Sequence, residues 1–433
     1  MSEAPAARPL GFWSCWALVV GTMIGSGVFL LPATLAPYGL LGFGGWIVSG
    51  AGTIALGLVF GRLASRTIRN GGPFLYVQEA FGERAGFMVA WGYWVAYWSA
   101  TAVVAIAFAG YLSVFVPILR DNSVAQAMAG VGIIAVLTAV NIRGLREMSA
   151  VQIAMTFLKI APLLAIVGLG LAAGAPSNLP AVNPSDASIP NTLAAVTLIT
   201  LWPFTGFEAV TTSAGSVRDA ERTLPRALIA GILVVTIVYL SATLAVMLLV
   251  PAESLAHSNA PFADAARGFG PWGEYLVAAG ALIATAGALN GIIFTAGQMP
   301  MAVAHDGKAP RWLGALNAGG APHRALLLSS GLGALLLLAN YSRGLIGAFT
   351  FLLMMSTSIA LIYYFVCGLA ELRHSWRSAR GRAAVAVAGC AYSLFALLGS
   401  GWEVFFWGAL LMLAGVPVFY LFRPRGLAAE AGR

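Results

Sequence analysis

The chain has 433 residues, 59% of them hydrophobic and only 9% charged, with mean hydropathy +0.85 and a formal charge of +8. A soluble globular chain carries about 25% charged residues, so a protein of this polarity lacks the groups to cover a water-facing surface. The pattern is that of an all-α polytopic membrane protein. It excludes a receptor with a folded ectodomain, because every loop is short, and an ATP-driven pump, because no GxxxxGK[ST] sequence is present.

In chain order, apolar segments long enough to cross a bilayer fall near 12–36, 41–61, 87–117, 124–142, 150–173, 192–216, 227–250, 273–301, 325–341, 345–370, 384–400 and 403–422. That predicts twelve transmembrane helices. The leading "MSEAPAARPL" holds Glu3 and a single basic residue, Arg8, and shows no cleavage pattern, so the first segment is expected to be retained as a span. The three cysteines, Cys15, Cys367 and Cys390, fall in or beside apolar segments and are expected to be buried small hydrophobes. Neither a disulfide framework nor a metal site is expected. His257, His305, His323 and His374 lie in loops or near interfaces without ligand spacing. No cofactor and no catalytic constellation are indicated, and an enzyme is not the expectation.

An even number of spans places both termini on one side. With the N-terminus inside, twenty of the 24 Lys and Arg residues fall on that side. The opposite side holds Arg120, Arg267 and Arg343, and Lys159 lies within the fifth span. The positive-inside rule then puts both termini in the cytoplasm, with 423–433 as a short cytoplasmic tail. The dispersed basic residues read as topology signals beside anionic lipid; a nucleic-acid groove would gather them.

The first span interrupts itself: "GTMIGSGVFLLP" runs from Gly21 to Pro32. The sixth does the same in "LWPFTGFE", with Pro203 and Gly206 near its middle. Glycine relaxes a helix and proline removes one of its hydrogen bonds, and lipid offers no substitute for a lost backbone bond. Gly21 and Gly25 have the small-xxx-small spacing of close helix packing. Two breaks at matching positions, each opening a run of five spans, favour an inverted-repeat transporter with its site at the unwound backbone. Amides freed at a half-helix start suit a carboxylate, and carbonyls freed at a half-helix end suit an ammonium.

Glu208 follows Gly206 by two residues, and an ionisable group at that depth is expensive to keep. It could bind a cationic substrate group, carry a proton coupled to opening, or cap the broken helix; coupling is the favoured role. Lys159 either snorkels to the cytoplasmic edge or braces the unwound first span, the second being favoured by its depth. In "GYWVAYWSAT" the residues Tyr93, Tyr97 and Thr101 stand at i, i+4 and i+8. Trp202 and Thr205 lie in the second break. The run "MMSTS", Met354 to Ser358, is a further polar patch without an assigned role.

The stretches "GTMIGSGVFLLPATLAPYG", "GGPFLYVQEAFG", "LWPFTGFEAVTTSAGSVRDAERTLPRAL" and "AGQMPMAVAHDGKAP" are similar to the amino acid–polyamine–organocation superfamily. The resemblance covers essentially the whole chain. It is strongest to the branch of arginine/agmatine, cadaverine/lysine and putrescine/ornithine antiporters. It implies ten core helices in two inverted repeats, about 12–173 and 192–370, plus two peripheral helices at about 384–422, all in one transmembrane domain spanning 1–422. Several members are homodimers, and members move amino acids or their amines by alternating access.

The resemblance further implies that Ser26 and Gly27, with Ile24, hold the substrate carboxylate. The carbonyls of Thr22, Met23, Trp202 and Thr205 would meet the α-ammonium, Trp202 would act as an aromatic gate, and Glu208 would couple to protons. Lys159 matches a lysine that takes the place of a sodium ion in sodium-coupled relatives, so sodium dependence is not expected. The arginine/agmatine antiporter packs a tryptophan of its eighth span against the guanidinium, and Ile292 aligns there. Its asparagine and cysteine of the third span align with Thr101 and Tyr97. The head-group clamp is kept and the guanidinium shelf is lost, which makes arginine a poor default; a neutral side chain and an aliphatic amine suit Ile292 equally. The expected function is an amino acid or amine antiporter of the cytoplasmic (inner) membrane. A proton-coupled symporter and a non-transporting sensor are the alternatives.

Overall fold

The structure, a computed structural model, describes residues 10–66, 72–143, 148–212, 217–377 and 379–422. Among these it is helical, with a single isolated bridge between Leu10 and Val217 and no named strand. The helices are α1 Phe12–Met23, α2 Leu31–Leu35, α3 Leu41–Arg66, α4 Pro73–Phe81, α5 Glu83–Leu112 and α6 Ser123–Ile142. They continue as α7 Met148–Ala173, α8 Ile189–Leu201, α9 Ala209–Thr212, α10 Ala220–Leu249, α11 Ala252–Ala256 and α12 Pro261–Ala265. The last are α13 Pro271–His305, α14 His323–Asn340, α15 Leu345–Ser375, α16 Arg380–Leu398, α17 Gly401–Leu413 and α18 Gly415–Phe422.

Nine described helical segments are long and apolar enough to cross a bilayer, and three shorter apolar helices accompany them: Phe12–Met23, Ile160–Ala173 and Ile189–Phe204. Two of the three are short because the chain leaves helical geometry where the sequence is interrupted. Helix α1 stops at Met23, Ile24 turns extended (φ −72, ψ 92), and a tight turn over Ser26–Val28 leads to α2. Helix α8 stops at Leu201, the tight turn Trp202–Phe204 follows, and Thr205 is extended (φ −60, ψ 145). Gly206 then takes φ +100, a conformation open to glycine and strained for other residues.

Polarity sets the layers. Helices α5 and α15, apolar on all sides, are buried over most of their length, whereas α6 shows most of its surface outward. Small residues bring backbones together beside the breaks: a Cβ on Gly45 of α3 would lie 2.8 Å from the Val196 carbonyl oxygen of α8. On that seam Ser49 donates to the Thr197 carbonyl at 2.8 Å. All three cysteines are free and buried, as their apolar settings predict. Among the described residues no cluster of His, Cys, Asp or Glu could hold a metal ion.

Candidate functional site

The two breaks, 175 or more residues apart in sequence, touch each other. A Cβ on Gly27 would lie 2.9 Å from Trp202 Cδ1 and 3.2 Å from Pro203 Cα, and one on Gly206 would lie 3.6 Å from the Thr22 carbonyl oxygen. Bare glycine backbone at both positions lets the unwound segments meet. Tyr239 of α10, fully buried, joins them: its hydroxyl donates to the Met23 carbonyl at 2.6 Å and lies 3.2 Å from the Pro203 carbonyl. Its ring rests on Trp46 and Phe204, with centroids 5.0 and 5.6 Å away. A phenol among rings thus supplies a donor to the carbonyl at the end of α1, with the Pro203 carbonyl close by.

Beside the breaks lies a cavity of about 560 Å³, bounded by α1, α5, α9, α13 and α15. Of the residues singled out from sequence, Thr22, Met23, Gly27, Tyr97, Trp202, Thr205, Glu208 and Ile292 line it. Ile24 is buried in the core and is not part of that lining, and Tyr93 stands behind Tyr97, donating to its hydroxyl at 2.9 Å. Thr101 is buried too; its hydroxyl bonds back to the Tyr97 carbonyl at 3.2 Å, and its side chain faces Gly333 of α14. The side chains of Ser26 and Lys159 lie outside the described residues, although both backbones are placed, Ser26 in the turn and Lys159 in α7.

Glu208 is fully buried and takes three neutral donors. Its carboxylate accepts from the Gly206 amide at 3.0 Å, the Tyr364 hydroxyl at 2.9 Å and the Tyr363 hydroxyl at 3.2 Å. A charge or proton at this position is therefore held by hydrogen bonds, with no ion pair in the described surroundings. The Trp202 carbonyl accepts from the Thr205 amide at 3.1 Å and the Thr205 hydroxyl at 2.7 Å, which engages both lone pairs.

The cavity extends from the breaks along α1 as far as Ser14 and as far as Ala209 of α9. Thr22 and Leu18 are accordingly exposed. Beyond the breaks in the other direction the chain is closed by Phe29, Tyr111 and Phe262, all fully buried. The Phe29 ring is 5.7 Å from that of Tyr111 and 5.5 Å from that of Phe262. Tyr111 donates to the Phe29 carbonyl at 2.8 Å and accepts from the Phe262 amide at 3.3 Å. One face of the site is open and the other sealed.

The tyrosines at 239, 363 and 364 escaped the sequence reading. The pair "YY" inside an otherwise aliphatic "SIALIYYFV" is a signal that could have found two of them, since a buried phenol demands a partner. Ser356 of the "MMSTS" patch does reach the lining, and its hydroxyl donates to the Ala96 carbonyl at 2.8 Å.

The model of a family described as amino acid permease matches residues 10–424. Among curated proteins, the cadaverine/lysine antiporter of Escherichia coli (strain K12) is 32% identical over 413 residues, covering 91% of this chain and 90% of its own. A putative arginine/ornithine antiporter of Bacillus subtilis (strain 168) is 29% identical over 429 residues, covering 90% and 91%. A putative arginine/ornithine antiporter of Escherichia coli (strain K12) is 30% identical over 442 residues, covering 95% and 92%.

Proposed function

The chain belongs to the amino acid permease family, and from that membership we propose an antiporter that exchanges amino acids or related amines across the cytoplasmic membrane. It is a multi-pass membrane transporter and not an enzyme. In the proposed architecture twelve spans form two inverted repeats, 12–173 and 192–370, with peripheral helices at 384–422 and both termini cytoplasmic. The open side of the cavity then faces the cytoplasm, and the aromatic seal faces outward.

The observation that carries the exchange site is the meeting of two unwound helix segments at one cavity, with Gly27 against Trp202 and Gly206 against the Thr22 carbonyl. In the proposed pose the amides at Ser26 and Gly27 receive a substrate carboxylate. The carbonyls of Thr22 and Thr205 receive the ammonium, joined by the second lone pair of Met23. The Trp202 carbonyl is engaged by Thr205 in this state, which leaves Trp202 the role of a lid over Gly27. Glu208 takes or releases the coupling proton among its tyrosines, and Lys159 braces the first break from α7.

Support for exchange, as against symport, comes from the relatives, each of which carries antiporter in its name. The test is counterflow in liposomes holding the purified protein. Uptake of labelled amino acid that requires amino acid or amine inside is the expected result; uptake into empty liposomes with accompanying proton entry would replace exchange by symport.

A further inference from the structure

Resting on that reading of the cavity, we propose that its side-chain compartment selects a zwitterionic amino acid with a large uncharged side chain and rejects diamines and basic amino acids. Among the described lining residues Glu208 is the only side chain that is acidic or basic. A second positive charge on the substrate needs a carboxylate with acceptor capacity directed at it. The Glu208 oxygens are instead turned to the Gly206 amide and to Tyr363 and Tyr364. Three of about four acceptor sites are filled in this way, the remaining one is needed for the proposed coupling proton, and a charge taken from water without a full set of partners is disfavoured.

The walls have the opposite character. Helix α13 presents Gly287, Ala288, Gly291 and Ile292, and α5 presents Ala96 and Ala100 on either side of Tyr97, whose hydroxyl is the polar, uncharged exception. The Thr295 and Ser356 hydroxyls spend their protons on their own scaffold, donating to the Gly291 carbonyl at 3.0 Å and the Ala96 carbonyl at 2.8 Å, so they offer a ligand only neutral acceptor oxygens and no compensating charge. A Cβ on Gly291 would meet nothing within 4 Å. The wall is therefore apolar and, at Gly291, bare, and the free width there belongs to the ligand. An apolar slot with room for bulk and no spare acid fits leucine, methionine or phenylalanine better than lysine or cadaverine, because the first group leaves nothing unpaired.

The experiment uses the purified full chain in two readouts. Melting temperature is measured with leucine, phenylalanine, lysine and cadaverine, and counterflow is measured in liposomes loaded with each. Leucine and phenylalanine should raise the melting temperature and exchange at least about tenfold faster than lysine or cadaverine. Lysine or cadaverine stabilising or exchanging as well as leucine would overturn the proposal, as would the failure of all four to bind. Leucine binding without flux in any liposome supports this selectivity and defeats the exchange reading instead. Lysine exchange does the reverse. In a second arm, Gly291→Val should weaken phenylalanine by about tenfold or more relative to alanine; an unchanged ratio would place the side chain elsewhere and overturn the assignment.

Discussion

Replacing Gly27 by alanine adds one methyl group where the two breaks meet, and its effect can be worked from the distances. The new carbon would lie 2.9 Å from Trp202 Cδ1, 3.1 Å from Trp202 Nε1 and 3.2 Å from Pro203 Cα. Carbon atoms settle at about 3.5–4.0 Å, so the indole must retreat by roughly 0.6–1 Å, and the Pro203 backbone by a few tenths. The indole can swing toward the cavity it lines. The Pro203 Cα is main chain in a buried turn whose carbonyl is held beside the Tyr239 hydroxyl, so it yields less readily. Part of the strain must therefore open the junction itself.

Overpacking of this kind costs about 1–3 kcal/mol, a factor of about 5 to 150, and it falls on the geometry that holds the substrate head group. The expected outcome of Gly27→Ala is a KM for exchange raised about tenfold or more, with membrane insertion unchanged, measured from initial counterflow rates over a range of substrate concentrations. Gly291→Ala is the control for chain stiffness: the new methyl meets no protein atom within 4 Å, so its melting temperature should stay level or rise. A Gly27→Ala protein with wild-type KM would refute the claim that contact between the breaks builds the site.

Tyr239→Phe removes the donor to Met23 and should lower stability by about 1–3 kcal/mol, because a buried carbonyl loses its partner; a melting curve superimposable on wild type would refute that role for the hydroxyl. Glu208→Gln should flatten the pH dependence of flux while the protein still binds substrate, and an unaltered pH profile would remove Glu208 from coupling. At the ends of α3 and α15, Arg66 meets the fully buried Glu371 at 2.8 Å, with Arg66 itself 33% exposed. Arg66→Ala takes from a buried carboxylate its hydrogen-bonded partner, leaving it only the fields of Arg62, His374 and Arg382, and should cost up to about 3 kcal/mol, whereas Glu371→Gln frees a guanidinium that reaches water and should cost less. The reverse order of melting temperatures would count against a buried pair.

What could be read from the sequence, and what could not, divides along one physical line. The breaks were legible because glycine and proline act on their own backbone and crowd together at "GSG" and "WPFTG" in two matching spans. Helix α3 stays helical through its glycines and α13 through Pro300, so it is the crowding and the pairing that told, and Met23 and Leu201 are the last helical residues before each break. Glu208 was legible because a carboxylate in an apolar segment stands out regardless of what surrounds it. The partners of these groups are a different matter. Tyr239 meets the Met23 carbonyl across 216 residues of chain, and nothing local tells a bonding phenol from one packed among rings. That distinction depends on the rotation of α10 against two helix ends. Rotation also explains Thr101. Four residues advance a helix by about 400°, so a face drawn through i, i+4 and i+8 drifts by about 40° at each step. Tyr97 faces the cavity, while the drift carries Thr101 to the neighbouring α14, where Gly333 makes room for it. The same geometry decides what the site can select. Sequence placed Glu208 at the break and left a neutral side chain and an aliphatic amine equally acceptable to Ile292. The three hydrogen bonds from Gly206, Tyr363 and Tyr364 occupy most of that acid's acceptor sites, and among the described lining residues the compartment beside α13 has no other charge to offer.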